Sequence, residues 1–365
     1  MRVTTTLLAI ALLLCTTAFA TPMPQKTFPV TADIETTPVH NSGDAADDPA
    51  IWVHPTDVTK SRILGSDKQE GIEVYDLDGN RTVSYDFGKI NNIDLRYGFP
   101  LGGKRVDIVG GSNRTSWEIS LYTIEEGRLR NVNGAPIKPK MPKMYGFSMY
   151  HSQRTDKYYA LIAGKGGEFE QYELYDNGQG KIDGKLVRSM KFSSMTEGIV
   201  ADDEYGFIYV AEERGSVWKF NAEPGDDTLT KIGTAWDGML TPDIEGMTIY
   251  YTSDGGGYLI ISSQGNSTYA VYDRVTNKYI NSFEINKGIV DGTFDTDGID
   301  VVSFGLGDKW PNGFFVAQDG VNTDKRFPFL FNQNFKVVSW EKIAKALNLK
   351  IDNSVNPRHL QKRGE

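Results

Sequence analysis

A chain of 365 residues with a single cysteine and a formal net charge of −9 can bury a sizeable core but has no disulfide framework and no basic surface suited to nucleic acid. Its N-terminus reads as an export signal: Arg2, an apolar run from Leu7 to Cys15, then the small-x-small stretch Ala18-Phe19-Ala20. The run is shorter than the about 20 apolar residues of a membrane span, and Leu14 before Cys15 argues against lipidation. Cleavage after Ala20 removes Arg2, takes the charge from −9 to −10 and leaves no thiol. The expected organisation is a signal peptide at 1–20, a folded domain at 21–349 and a tail at 350–365, in a secreted or periplasmic protein with no membrane partner.

Strand patterns dominate the chain beyond Ala20. F-P-V-T-A-D-I (28–34) comes first. Then polar residues open a short β-rich run six times: D-D-P-A-I-W-V-H-P at 47, N-N-I-D-L-R-Y-G-F-P at 91, K-M-Y-G-F-S-M-Y-H-S at 143, T-E-G-I-V-A-D-D at 196, D-I-E-G-M-T-I-Y-Y at 243 and D-T-D-G-I-D-V-V-S-F at 295. The spacings are 44, 52, 53, 47 and 52 residues. Each opening is followed by a second strand with a polar end, and most repeats add a third and a fourth. The sixth contains N-F-K-V-V-S-W (334–340) but lacks a full fourth strand, which 28–34 is expected to supply. E-K-I-A-K-A-L-N-L (341–349) is the one convincing helix. Six units of about 50 residues with four antiparallel strands each predict an all-β, six-bladed propeller. A two-sheet sandwich is the alternative, and the regular sixfold count argues against it.

In a propeller the first strand of each blade lines the channel, so strand-one openings and strand-two ends meet at one mouth. The openings bring Asp47, Asp48, Asn91, Asn92, Asp94, Tyr145, Glu197, Asp243, Glu245, Asp295, Asp297 and Asp300; the ends bring Asp67, Lys68, Asn113, Arg114, Lys165, Glu212, Glu213, Gln264, Gln318 and Asp319. Two carboxylates at 4 Å repel by about 4 kcal/mol at an effective dielectric near 20. Either they hold protons or a cation sits between them. Oxygen ligands on flexible loops suit Ca²⁺, with Asp47 and Asp48 its first ligands and Asn92 and Asp94 beside them. The four histidines show no zinc spacing. Any one of these acids taken alone reads better as a turn residue; the set of six openings does not. Lys68, Arg114 and Lys165 at the ends of blades one to three suit a polyanion bearing phosphates. A cysteine nucleophile is excluded, and neither an R-H-G stretch nor a G-x-x-x-x-G-K-[S/T] loop is present.

From Phe28 to Leu349 the chain resembles the β-propeller phytases, the alkaline or Bacillus-type 3-phytases. The stretches that carry the resemblance are D-D-P-A-I-W-V-H-P, G-K-I-N-N-I-D-L-R-Y, Y-G-F-S-M-Y-H-S-Q, G-E-F-E-Q-Y-E-L, T-E-G-I-V-A-D-D-E-Y-G, L-T-P-D-I-E-G-M-T-I-Y-Y, S-S-Q-G-N-S-T-Y and D-T-D-G-I-D-V. The resemblance implies stepwise hydrolysis of myo-inositol hexakisphosphate, bound as its calcium complex by a monomer. Several calcium ions, structural and catalytic, are implied, with a calcium-activated water attacking phosphorus. It implies phosphate contacts from Lys68, Arg114, Tyr145 and Lys165, with Asn322 reaching in from the last loop. Asp47, Asp48, Glu197, Glu213, Asp243, Glu245, Gln264, Asp291 and Asp297 would hold or orient calcium and water, and Glu35 would add a ligand. Lys68, Arg114, Tyr145, Glu197, Glu245 and Asp297 form the implied catalytic set.

Two stretches depart from the family pattern. Gly166 stands where relatives are expected to carry Glu, either removing a carboxylate or meeting a need for φ > 0. The loop at 321–335 carries an apolar F-P-F-L-F. The competing readings are a non-catalytic calcium-loaded propeller that binds a polyanion or carbohydrate, and a six-bladed lactonase, which would not need Lys68, Arg114 and Lys165 together.

Overall fold

The structure, a computed structural model, describes residues 26–323 and 330–364. The export signal and part of the F-P-F-L-F loop lie outside the described residues. Six four-stranded units form a ring. Blade one is Ala46–Trp52, Arg62–Asp67, Gly71–Tyr75 and Arg81–Asp86, and blade two is Ile90–Leu101, Lys104–Asn113, Glu118–Glu125 and Arg128–Asn131. Blade three is Met144–His151, Tyr158–Gly164, Glu168–Asp176 and Ile182–Lys191. Blade four is Thr196–Asp202, Phe207–Glu212, Ser216–Asn221 and Thr230–Thr234, and blade five is Ile244–Tyr251, Gly257–Ser263, Thr268–Asp273 and Tyr279–Asn286. Blade six has Ile299–Val302, Phe314–Asp319 and Asn334–Ser339. The first strands of consecutive blades touch around the whole ring, the sixth against the first.

The segment 28–34 divides its work differently from the sequence expectation. Only its end closes the ring: Ile34–Glu35 pairs antiparallel with Asn334–Ser339 as the fourth strand of blade six. Thr27–Thr31 instead runs parallel to Tyr279–Asn286 and makes a fifth strand on blade five. The reason is length, since two residues complete a short outer edge and Ala32 and Asp33 carry the chain across to the neighbouring blade.

The core consists of apolar layers between blades. Phe147, Ile108, Leu121 and Ile162 fill the gap between blades two and three; Phe315, Val338, Ile260 and Phe283 fill that between five and six. Trp340–Leu347 is the α-helix, buried on Trp340, Ile343, Ala344 and Leu347, which share one face at this spacing. Trp340 stacks on Tyr250 with centroids 3.8 Å apart.

Residues 350–364, expected as a tail, cross the face opposite the mouth. Asp352 N–H donates to Tyr250 Oη at 2.9 Å, Arg358 donates to both oxygens of Asp107 at 2.6 and 2.9 Å, and Arg363 Nε donates to Glu204 at 2.9 Å. Pro357 and Leu360 line the far end of a channel cavity of ≈ 140 Å³ that reaches Asp48, Asn92 and Glu197 near the mouth. Among the described residues no helix is long and apolar enough to cross a membrane.

Candidate active site

The first strands of blades one to five begin with the same irregularity. In blade one Ala46 pairs with Asp67 and Pro49 with Gly65, so one residue is extra on the inner strand. The same slip falls between Ile90 and Ile93, Met144 and Phe147, Thr196 and Ile199, and Ile244 and Met247. A bulge re-aims a side chain at the end of a ladder. It acts here on Asp47, Asn91, Tyr145, Glu197 and Glu245. Asp297 holds the matching place in blade six, its N–H donating to Gln318 Oε1 at 2.9 Å.

The residue after each bulge explains the recurring x-G. A Cβ on Gly146 would lie 2.0 Å from the Glu197 carbonyl oxygen, and one on Gly198 would lie 2.2 Å from that of Glu245. Gly246 N–H donates to Asp297 O at 2.9 Å and Gly298 N–H to Asp47 O at 3.0 Å. Each blade thus leans on the bulge of the next. In blades one and two Asp48 and Asn92 replace glycine. Asp48 accepts from Ile93 N–H at 3.1 Å, and Asn92 donates to Asp47 at 3.2 Å.

A second ring sits one residue past the second strands. The N–H groups of Lys68, Arg114, Lys165, Glu213 and Gln264 donate to Ala45, Lys89, Lys143, Met195 and Asp243 carbonyls, and Gly320 donates to Phe294. These six positions are therefore equivalent, but their chemistry is not. Blades one to three present cations; blades four and five present Glu213 and Gln264. The mouth is divided into a cationic and an acidic half.

On the acidic half, Glu197, Glu213 and Glu245 are buried, and one carboxylate oxygen of each lies within 4.8 Å of the others. Glu213 Oε1, Glu245 Oε2 and the neighbouring Asn91 Oδ1 are buried without a hydrogen-bond partner. Burial and the Asp47 and Asp297 charges push the Glu197 carboxyl up to about 8. Burial and Asp243 push Glu213 up to about 7, against Lys165 and Arg214, and burial and Asp47 push Asp297 up to about 7 against Lys68. Glu245 is raised by burial and by Glu197, Asp297 and Glu213. Acids this close and this poorly partnered fit a cation, and the three can hold a metal ion.

On the cationic half, Lys68 Nζ bridges Asp44 at 2.7 Å, Asp47 at 3.1 Å and Asp297 at 3.0 Å. Burial alone would lower the ammonium; Asp47, Asp297 and Asp44 reverse this and hold it charged. Lys165 Nζ stands 3.7 Å over the Tyr145 ring. Arg114 Nη2 reaches Lys68 O at 3.4 Å, and its Nε has no partner. Asn91 donates to Glu197 at 2.6 Å and Gln264 to Asp297 at 2.6 Å, joining the halves.

Several expected ligands have other partners. Glu35, Asp291 and Asn322 are gathered with Asp319 around the buried Lys336 ammonium, at 2.6, 2.5, 3.1 and 3.2 Å respectively. An internal cation already occupies the centre of that group. Asp94 lies deeper in the channel and accepts from Ser148 Oγ at 2.7 Å, Met149 N–H at 2.9 Å and Arg96. Asp243 accepts from Arg214 Nε at 2.7 Å. Glu212 is committed to neighbouring backbone, accepting from the N–H groups of Ser193, Ser194 and Ser216 and from Trp218 Nε1. The repeat pattern does not single out Lys336 or Arg214. The available signals are a lysine inside an otherwise apolar strand and an arginine directly after Glu213.

A family model described as Phytase matches residues 1–363. The chain is 52% identical over 349 residues to the 3-phytase of Bacillus subtilis (strain 168), covering 93% of this chain and 91% of that protein. Among solved structures, the Cps50 (Swd1) β-propeller domain of Myceliophteria thermophila is 11% identical with a TM-score of 0.43, covering 80% of this chain and 83% of that one. With nearly its whole length matched by the family model and by a relative of this identity, the chain belongs to the phytase family.

Proposed function

We propose that this is a secreted, calcium-dependent phytase that hydrolyses phosphate monoesters of myo-inositol hexakisphosphate, taken as its calcium complex by a monomer. The observation that carries the reading is the divided mouth: an acid cluster with orphaned buried oxygens faces three cations at equivalent positions. Glu197, Glu213 and Glu245 would hold calcium, with Asp47, Asp297 and Gln264 at the boundary. Bound there, calcium supplies charge neutralisation for phosphate and a more acidic water.

The rest is the work of side chains. Arg114 offers forked donors to one phosphate and Lys165 a point charge to its neighbour. Tyr145 fixes Lys165 through the ring face and sits against Glu197. Lys68 pairs with Asp47 and Asp297 at the boundary between the halves. The residues at 1–20 are the leader that would direct export.

The test is phosphate release from myo-inositol hexakisphosphate by the mature protein, with calcium and after chelation. Release that needs calcium is expected. Binding of the hexakisphosphate without release would favour a non-catalytic propeller, and lactone hydrolysis with no phosphate release would favour a lactonase.

A further inference from the structure

Arg214 has no role in that mechanism. It follows Glu213 directly, on the same face as Lys68, Arg114 and Lys165. Its side chain is 77% exposed, yet it is anchored, because Nε donates to Asp243 Oδ1 at 2.7 Å. Its Nη groups make no hydrogen bond among the described residues. The backbone beneath is held as well. Gly215 N–H donates to Glu212 O at 3.1 Å, Ala235 N–H donates to Gly215 O at 2.7 Å, and the Glu212 carboxylate takes the N–H groups of three serines. Lys165 and Arg214 act on the same Glu213 carboxylate from blades three and four. An arginine fixed by one edge presents its other edge as a planar fork, the geometry that matches phosphate oxygens.

We propose that Arg214 is a fourth substrate-binding cation of the mouth, whose free Nη edge takes a further phosphate of a multiply phosphorylated substrate, beyond those held by Arg114 and Lys165. Asp243 is then a positioning residue that aims the guanidinium. The inference rests on the phytase reading of this site. It implies that the enzyme grips highly phosphorylated inositols more tightly than products that have lost the outer phosphate, so affinity falls as hydrolysis proceeds.

Arg214→Ala and Arg214→Lys test it in the mature enzyme at saturating calcium. The expected result for Arg214→Ala is a rise of about fivefold in KM for myo-inositol hexakisphosphate, equal to about 1 kcal/mol at 1.4 kcal/mol per tenfold, with kcat unchanged. The Kd of non-hydrolysable myo-inositol hexasulfate, read by calorimetry, should rise by the same factor. Arg214→Lys should fall between, since it keeps the charge and loses the fork. The inhibition constant of inorganic phosphate should not move. Unchanged KM and Kd would overturn the proposal. So would an equal weakening of inorganic phosphate, or a shifted calcium midpoint with unchanged Kd, which would make Arg214 a keeper of Asp243 alone. Should the wild type release no phosphate, the phytase reading fails, while the hexasulfate comparison still decides whether Arg214 binds a polyanion.

Discussion

Two acid clusters in this molecule have nearly the same composition and opposite states. Around blade six, Glu35, Asp291, Asp319 and Asn322 close on the Lys336 ammonium. At the mouth, Glu197, Glu213 and Glu245 enclose no side-chain cation among the described residues: Glu213 Oε1 and Glu245 Oε2 have neither a hydrogen bond nor an ion pair there, whereas Asp291 Oδ1 and Asp319 Oδ2, likewise without a hydrogen bond, each face Lys336 Nζ. The first group carries its counter-ion in the chain; the second has none there and can hold protons or take a cation from solution. The number of acids does not distinguish the two clusters, whereas the partners of those acids do. Lys68, between Asp44, Asp47 and Asp297, marks the boundary between the two solutions.

Removing the internal cation should have the largest effect. Lys336→Met leaves three carboxylates facing one another in blade six, and breaking a buried ion pair in this way costs about 3–5 kcal/mol. Thermal melting of the chelated protein should show a large drop. A Lys336→Met protein as stable as the wild type without calcium would erase the contrast between the clusters.

Glu245→Gln should act with the opposite sign on stability. It removes a buried carboxyl that on folding must either repel its neighbours or take up a proton, so the metal-free protein should melt higher. Activity should fall by at least the about 10- to 100-fold typical of losing a partner of a metal ligand. A variant that melts lower without metal, or keeps full phosphate release, would show that the cluster is not the open one.

The third expectation concerns pH. In the metal-free protein, Glu197 is raised to about 8, and Glu213 and Asp297 to about 7. The folded state then binds more protons than the unfolded chain, whose carboxyls titrate near about 4. Stability falls with rising pH wherever this holds. Melting temperature without calcium should therefore decline between about pH 5 and about pH 8. Calcium should flatten the decline, because the ion replaces those protons. A rising melting temperature over the same window in metal-free buffer would contradict the assignment.

The smallest effect is expected at Gly166. Its backbone is not left-handed; the positive φ belongs to Gly167, at 89°. A need for φ > 0 therefore does not explain glycine at this position. A Cβ at Gly166 would lie 2.6 and 2.8 Å from the Glu168 carboxylate oxygens, the far end of a side chain that already pairs with Lys191 at 2.8 Å and has only to shift at its tip. Gly166→Glu should change stability by no more than about 0.5 kcal/mol and lower the calcium needed for half-maximal activity. A calcium titration of activity beside a melting curve measures both.

The fold is legible in the sequence because each blade opens with a polar pair or an x-G before a β-rich run, and the second-strand ends recur with them. The ring of Asp47, Glu197, Glu245 and Asp297 is legible for the same reason. Lys336 is not, because its three acids come from residues 35, 291 and 319 and meet only when the N-terminal strand closes the ring. The bulges are also hidden, since the extra residue is a matter of pairing with a partner strand and leaves no mark in composition. Asp94 reads as one more mouth acid, but its place inside the strand turns it into the channel, where Ser148 and Met149 satisfy it.

The closure that joins Ile34–Glu35 to Asn334–Ser339 brings together segments about 300 residues apart in the chain. The early segment has no partner until nearly all of the polypeptide exists. During synthesis the molecule is therefore an open arc whose two ends must find each other, the slowest kind of contact for a chain to make. The Lys336 group, built from both ends of that arc, comes into being only at this final clasp. Its assembly thus reports completion of the circle, and any truncation that removes either end leaves an arc with an unpaired edge.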